Sequence, residues 1–313
     1  MRAEFARLCD EALAWPLPGA GGTRGRWSNL SALAESDLVV ARLVEAHADA
    51  VAICAELTSA ASPQTGSRWG VWAAEGLGAS CRAFEGDDGW RIRGTKAWCS
   101  GATLLTHALV TAEDGQRRVL LAIDLAQRGI HAGDSTWAAE GMRRADTRTV
   151  SFQDARAELV AADASYLTRP GFWTGAIGVA ACWYGGAAAL GRTLRTAVGD
   201  RPADPHAAAH LGAVDVVLGT ARTSLLAAAN AVDGDPTADH RRLALRVRGS
   251  VARAASEVAA RVGRALGPAS YARNADHAQR VADLEVYVRQ DHAERDLAVL
   301  GEITATADWD WSL

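Results

Sequence analysis

From Pro170 to Gly301 the chain is alanine-rich and carries four long amphipathic stretches separated by short breaks, the pattern that most constrains its fold. The stretches cover Phe172–Val198, Pro205–Val232, Ala238–Leu266 and Ala275–Leu300. They stop at Gly199 with Pro202, at Asp233-Gly234-Asp235-Pro236, at Gly267-Pro268 and at Gly301. Glycine takes the left-handed conformation of a helix end cheaply, and proline cannot continue the hydrogen-bond ladder. Four long helices joined by short connections must bury their apolar stripes against one another, which predicts an up-and-down four-helix bundle.

The section before it changes period. Between Arg68 and about Val160, short runs of alternating or β-branched residues are separated by turn dipeptides. Strands are predicted at Trp69–Glu75, Ser80–Phe84, Trp90–Trp98, His107–Thr111, Arg118–Ile123, Gly129–Ser135 and Thr147–Phe152. Asp87-Asp88-Gly89 and Asp114-Gly115 supply hairpin chemistry between neighbours. Six or seven short strands predict a small antiparallel barrel or sandwich. Up to about Ser62 the chain reads as helical, with a break at Pro16, Pro18 and Gly19–Gly22, and with apolar residues from Leu38 to Leu57 at helical spacing. His47, on that helix, reads as a core or interface histidine. The expected class is α+β, mostly α. Its expected domains are a helical one over 1–65, a β domain over 66–160 and a four-helix bundle over 161–313.

Composition narrows the function classes. With 49% hydrophobic and 22% charged residues and a formal charge of -4, the chain reads as a soluble globular protein. This balance gives no support to nucleic-acid binding or to an anionic membrane surface. No uninterrupted apolar stretch reads as long enough to span a bilayer, and no signal-peptide pattern opens the chain. Cys9, Cys54, Cys81, Cys99 and Cys182 are scattered and odd in number, which points to a reducing cytoplasm and away from a zinc site or a disulfide framework.

The segment Trp90–Ala102 carries the chemistry. Trp98 and Ser100 are two apart at the end of a predicted strand, so alternation places them on one face. An indole offers a stacking surface and a hydroxyl a hydrogen bond, a pair suited to a planar heteroaromatic such as a flavin. The same spacing also fits two residues that line a sheet face against the core.

Helices, a small β domain and a four-helix bundle, in that order, are the order of the acyl-CoA dehydrogenase fold. Gly94-Thr95-Lys96-Ala97-Trp98-Cys99-Ser100 resembles the family's Gly-x-Lys-x-Trp-[Ile/Cys]-[Thr/Ser] strand. The resemblance implies that Trp98 packs against the flavin of FAD and that Ser100 bonds near its reactive nitrogen. Trp72 and Ala74, in Val71–Glu75, fall where the family has a flavin-contacting Thr-Glu-Pro strand. Gly141-Met142-Arg143-Arg144 with Thr149–Phe152 is similar to the last strands of the family's β domain. Arg195-Thr196-Ala197-Val198-Gly199 resembles Arg-x-x-Phe-Gly, whose arginine reaches the FAD pyrophosphate of a neighbouring subunit; that implies a homodimer or homotetramer. Arg264 falls where the family has a glutamine, before Gly267-Pro268, and an arginine there also suits phosphate.

For catalysis, Asp283 matches an aspartate of the family, and eight residues on Asp291 occupies the place of the glutamate base, one methylene shorter. His292 beside it is a second candidate. The alternative for this cluster, with Glu294 and Arg295, is an exposed charged patch at a helix end. The N-terminal helices are about half the family's usual length, and the Gly-Ser-Asp loop expected after Glu75 is shortened to Gly76-Leu77-Gly78-Ala79-Ser80. Three readings follow: α,β-dehydrogenation of an acyl thioester or related carbonyl substrate, a flavin-dependent monooxygenase, or a non-catalytic acyl- or flavin-binding subunit.

Overall fold

The computed structural model describes residues 1–57, 59–76, 78–87, 89–115, 117–162, 165–200, 204–306 and 311–312. Asp88 of the predicted hairpin turn, Leu77 of the shortened loop, Pro202 and Trp309 lie outside the described residues. Two compact units form: residues 1–17 with 39–172, and residues 18–38 with 173–313. Residues 1–65, expected as one helical domain, are shared between them.

The first unit holds α1 (Arg2–Ala12), most of α3 (Leu38–Glu56), seven strands and the short α4 (Ser165–Thr168). The strands are β1 (Trp69–Trp72), β2 (Cys81–Gly86), β3 (Gly89–Cys99), β4 (His107–Asp114), β5 (Arg117–Asp124), β6 (Ile130–Ala132) and β7 (Arg148–Ala161). All seven start within one residue of the predicted positions, but β7 runs on to Ala161, beyond the predicted end at Phe152. The order β4-β2-β3-β7-β5 closes through a β4–β5 pairing, with β1 on the outside of β4 and β6 on β7. Closure removes most free sheet edges. Most pairings are antiparallel, but β4 pairs in parallel with both β1 and β2.

β4 and β5 are apolar on both faces, and the packing shows why. One face (Ala108, Val110, Val119, Leu121) joins Ile92, Val150 and Phe152 inside the barrel. The other (Leu109, Leu120, Ala122) packs with Ile53 and Cys54 of α3. His47 is fully buried there and its Nδ1 accepts the Trp69 amide at 3.1 Å, a core role. The five cysteines are free and buried. Burial pushes the thiols of Cys9 and Cys54 up to about 12 and that of Cys81 up to about 11, which leaves them protonated and unreactive.

The second unit holds α2 (Thr23–Ser36), nearly all of α5 (Gly171–Gly199), α6 (Pro205–Gly234), α7 (Arg241–Leu266), α8 (Pro268–Arg273), α9 (Ala275–Tyr287) and α10 (Glu294–Thr306). α2 starts at Thr23 because Asp233, at the far end of α6, caps it. The carboxylate accepts the Thr23 hydroxyl at 2.6 Å and the amides of Gly21 and Thr23 at 3.1 Å.

One expectation is corrected. The last stretch is not one helix. α9 ends at Tyr287, a 3-10 turn covers Val288–Gln290, Asp291 is extended and Ala293 takes φ 47° before α10 begins. The Gln290 carbonyl, which a continuous helix would use internally, accepts the Arg248 guanidinium at 2.8 Å instead. Among the described residues α6 combines length with apolar composition, although charged residues interrupt it. Asp215 and Arg222 are the only Asp, Glu, Lys or Arg of α6 before Asp233, so this helix is long and apolar enough to cross a membrane by length and composition. Only 22% of its most apolar window is buried.

α9 also carries a pH-sensitive packing. His277 is 4% exposed, sits edge-on to Tyr271, and neither ring nitrogen has a hydrogen-bond partner among the described residues. Burial, helped by the nearby Arg280 charge, holds its pKa below the ordinary histidine value. Below that ordinary value the unfolded chain binds a proton that the folded chain resists, so stability falls as pH drops from about 6.5. Urea midpoints at pH 7.5 and pH 5.5 are expected to show this fall, and His277→Leu to reduce it. An unchanged pH dependence in that variant would assign the effect elsewhere.

Candidate functional site

β3 delivers the tryptophan motif through two irregularities. At Gly94 the register shifts and φ is +121°; a Cβ there would fall 2.2 Å from the Ser80 carbonyl oxygen, so only glycine fits. Lys96 then points inward and donates to the Thr111 hydroxyl at 2.8 Å and its carbonyl at 3.1 Å, tying β3 to β4. Burial lowers its pKa, opposed in part by nearby Cys81, Cys99 and Glu113. A second register shift follows between Lys96 and Cys99, where Trp98 takes φ 59°.

This bulge changes the argument for the Trp98–Ser100 pair. With Trp98 in the left-handed region, strict strand alternation ends there, and Ser100 stands in the turn beyond the strand. The Ser100 amide donates to the Trp98 carbonyl at 3.0 Å, and its hydroxyl is 3.0 Å from that of Thr147. Trp98 is 56% exposed, a large cost for an indole that a core position would have avoided. Of the two openings left by the spacing, a sheet residue packed on the core does not describe Trp98.

Trp72 is buried in the barrel core and donates its indole N–H to the Ser100 carbonyl at 3.0 Å, so it braces this turn from beneath. Ala74 is exposed in the loop after β1. Gly76, two residues on, approaches the motif closely. Its absent Cβ would lie 2.5 Å from that of Ala97 and 3.3 Å from the Trp98 indole nitrogen.

Sequence reasoning missed Trp137. Its ring meets that of Trp98 edge to face, with centroids 6.3 Å apart and planes at 89°. It lies in an irregular segment between β6 and the turn at Arg143–Ala145, and no periodicity marks such a position. Asp146 ties down the end of that segment. It accepts the Thr103 amide at 2.8 Å, the Thr103 hydroxyl at 2.7 Å and the Arg148 guanidinium at 2.6 Å. Burial alone would push its carboxyl up, but these partners outweigh burial and hold it below the usual carboxylate range.

In the second unit, Arg195 on α5 is exposed, with no hydrogen bond or ion pair among the described residues. Arg264, in the last turn of α7, is also exposed and bonds only its own helix, at the Ala260 carbonyl (3.2 Å). Asp291 is half-buried, and its Oδ1 is shielded from solvent without a hydrogen-bond partner. His292 is exposed, with Nδ1 3.2 Å from Asp296. The predicted charged patch therefore divides: His292, Glu294 and Arg295 face solvent, whereas Asp291 is drawn in.

A flavin ring fits what the first unit presents. An exposed indole held in a strained backbone conformation offers a stacking face, and the Ser100–Thr147 hydroxyl pair offers donors and acceptors. The two exposed arginines of the second unit suit phosphate, and the Asp291 Oδ1, unbonded among the described residues, can accept a hydrogen bond.

Residues 58–155 match the family model of the acyl-CoA dehydrogenase middle domain. No protein of curated function matches the sequence. Among solved structures, KijD3 in complex with dTDP is similar, with 20% identity and a TM-score of 0.79 over 97% of this chain and 88% of that one. TdsC from Paenibacillus sp. A11-2, solved with FMN and indole, shares 18% identity and a TM-score of 0.78 over 89% and 82%. Methanesulfinate monooxygenase MsuC from Pseudomonas fluorescens shares 18% and 0.78 over 99% and 92%. Residues 58–155 thus carry an acyl-CoA dehydrogenase middle domain, and nearly the whole chain shares the fold of these solved structures.

Proposed function

We propose that the protein is a flavin-dependent oxidoreductase that dehydrogenates the α,β-bond of an acyl thioester or related carbonyl compound. The observation that carries this reading is the exposure of Trp98 at a bulge that sets it outside the sheet's packing. When bound, the flavin supplies the hydride acceptor. Trp98 stacks on its ring, and Ser100 and Thr147 hydrogen-bond its polar edge. Asp291 takes the α-proton of the substrate through Oδ1, which no hydrogen bond among the described residues occupies. FAD is the proposed form, because the exposed guanidinium groups of Arg195 and Arg264 suit a pyrophosphate. The assembly is proposed as a homodimer or homotetramer, supported by the largely unburied apolar window of α6.

A second reading, a flavin-dependent monooxygenase, is favoured by the neighbours: MsuC is a monooxygenase, and TdsC is described as a dibenzothiophene monooxygenase. FMN accompanies TdsC and, in a second complex, KijD3.

One preparation tests these readings. The chain is incubated with FAD or FMN and gel-filtered with light scattering; its absorbance is recorded, and a short-chain acyl-CoA is then added without oxygen. About one retained flavin per chain, bleached by the thioester, is the expected result. Retention without bleaching, with product formed only from externally reduced flavin and oxygen, would transfer the assignment to the monooxygenase. A colourless protein would leave the non-catalytic reading.

A further inference from the structure

We propose that Trp137 is a positioning residue for the flavin ring: it fixes the plane of the Trp98 indole so that one face stays open for stacking. This rests on the flavin reading above. Trp98 is exposed, so the core does not hold its side chain. Beside it stand Gly76, close to its indole nitrogen, and Trp137, edge to face at 6.3 Å. An edge-to-face pair fixes the relative orientation of two rings, because the positive edge of one meets the negative face of the other.

Trp137 is itself anchored. It is half-buried, and its indole N–H donates to the Gly141 carbonyl at 2.9 Å. Just beyond, Met142 is buried at φ 57° and Asp146 sits at φ 49°, gripped by Thr103 and Arg148. Gly101 donates to the Ala145 carbonyl at 2.7 Å, so the segment that carries Trp137 is tied to the turn that follows Trp98. Three non-glycine residues in the left-handed region, at Trp98, Met142 and Asp146, are concentrated in these two linked turns. Such strain persists only where the surroundings over-determine it, and it marks sites that are organised before a ligand arrives. A preorganised ring binds without the entropy cost of being ordered on contact.

The test titrates FMN and FAD separately into the full chain and its variants, with quenching of flavin fluorescence and visible circular dichroism of the bound ring as readouts. Trp98→Ala is expected to lose most of the binding. Trp137→Ala is expected to raise Kd about 3- to 10-fold and to weaken the visible dichroism, at a melting midpoint close to that of the parent. Trp137→Phe keeps an aromatic edge and is expected to restore both. Parent-like Kd and dichroism in Trp137→Ala, with Trp98→Ala impaired, would overturn the role of Trp137 and leave the flavin site standing. A parent chain that binds neither flavin would overturn both.

Discussion

Arg248→Met is expected to lower the free energy of unfolding by about 3–5 kcal/mol, the scale for removing two charge-assisted hydrogen bonds from buried carbonyls. Arg248 is 7% exposed, and its guanidinium lies 4.7 Å from the centre of the fully buried Trp183 ring. It donates to the carbonyls of Ala176 on α5 and Gln290 at the end of the 3-10 turn, each at 2.8 Å. A guanidinium is the side chain that satisfies two separated carbonyls while stacking on an aromatic face. Methionine retains much of the apolar packing on Trp183 and removes the donors. The loss then reports the two stranded carbonyls, each worth about 1.5–3 kcal/mol when the partner is charged. Urea unfolding with an unchanged m-value measures it. A loss below about 1 kcal/mol would show that water or another donor replaces the guanidinium. Hydrogen exchange over residues 288–297 is expected to rise in the same variant, because the break between α9 and α10 depends on that bond.

The Asp291→Asn variant is expected to retain its flavin and its melting midpoint while losing about 10²- to 10⁴-fold in the rate of anaerobic flavin bleaching, the usual contribution of a positioned base. Amide and carboxylate are nearly isosteric, and Oδ1 makes no hydrogen bond whose loss would disturb the fold. Full bleaching in the variant would remove Asp291 from the proposed chemistry. His292, exposed beside Asp296, would become the candidate to test next.

The strands of the barrel were legible because each signal was local. Asp114-Gly115 marks the turn from β4 to β5, and alternating or apolar runs lie on either side of each turn. The bundle was legible for the same reason, down to the stops at Gly199, Gly234 and Leu266. The motif around Trp98 was legible as a string of residues, but the reason given for its geometry was incomplete. Alternation assumes a regular strand, and the register shift between Lys96 and Cys99 with a left-handed Trp98 sets the orientation instead. Trp72 is bonded beneath the turn at Ser100 as a buried brace, whereas Ala74 is exposed in the loop after β1.

Other features left no local trace. The start of α2 depends on Asp233, more than two hundred residues away, and the end of α9 on a carbonyl bonded by Arg248. Trp137 gains its place from a ring contact across thirty-nine positions of sequence.

By itself, the sequence determined the element types, their order, the bundle and barrel classes and the motif strand, since periodicity and turn residues act through neighbours a few positions apart. Only the tertiary structure decided which unit each N-terminal helix joins, where the last helix breaks, that Trp98 is open while Trp72 is buried, and that Asp291 is drawn in while His292 is not. Those outcomes are set by caps, guanidinium–carbonyl bonds and ring contacts between residues distant in the chain, whose free energies of a few kcal/mol outweigh the propensities of any single turn.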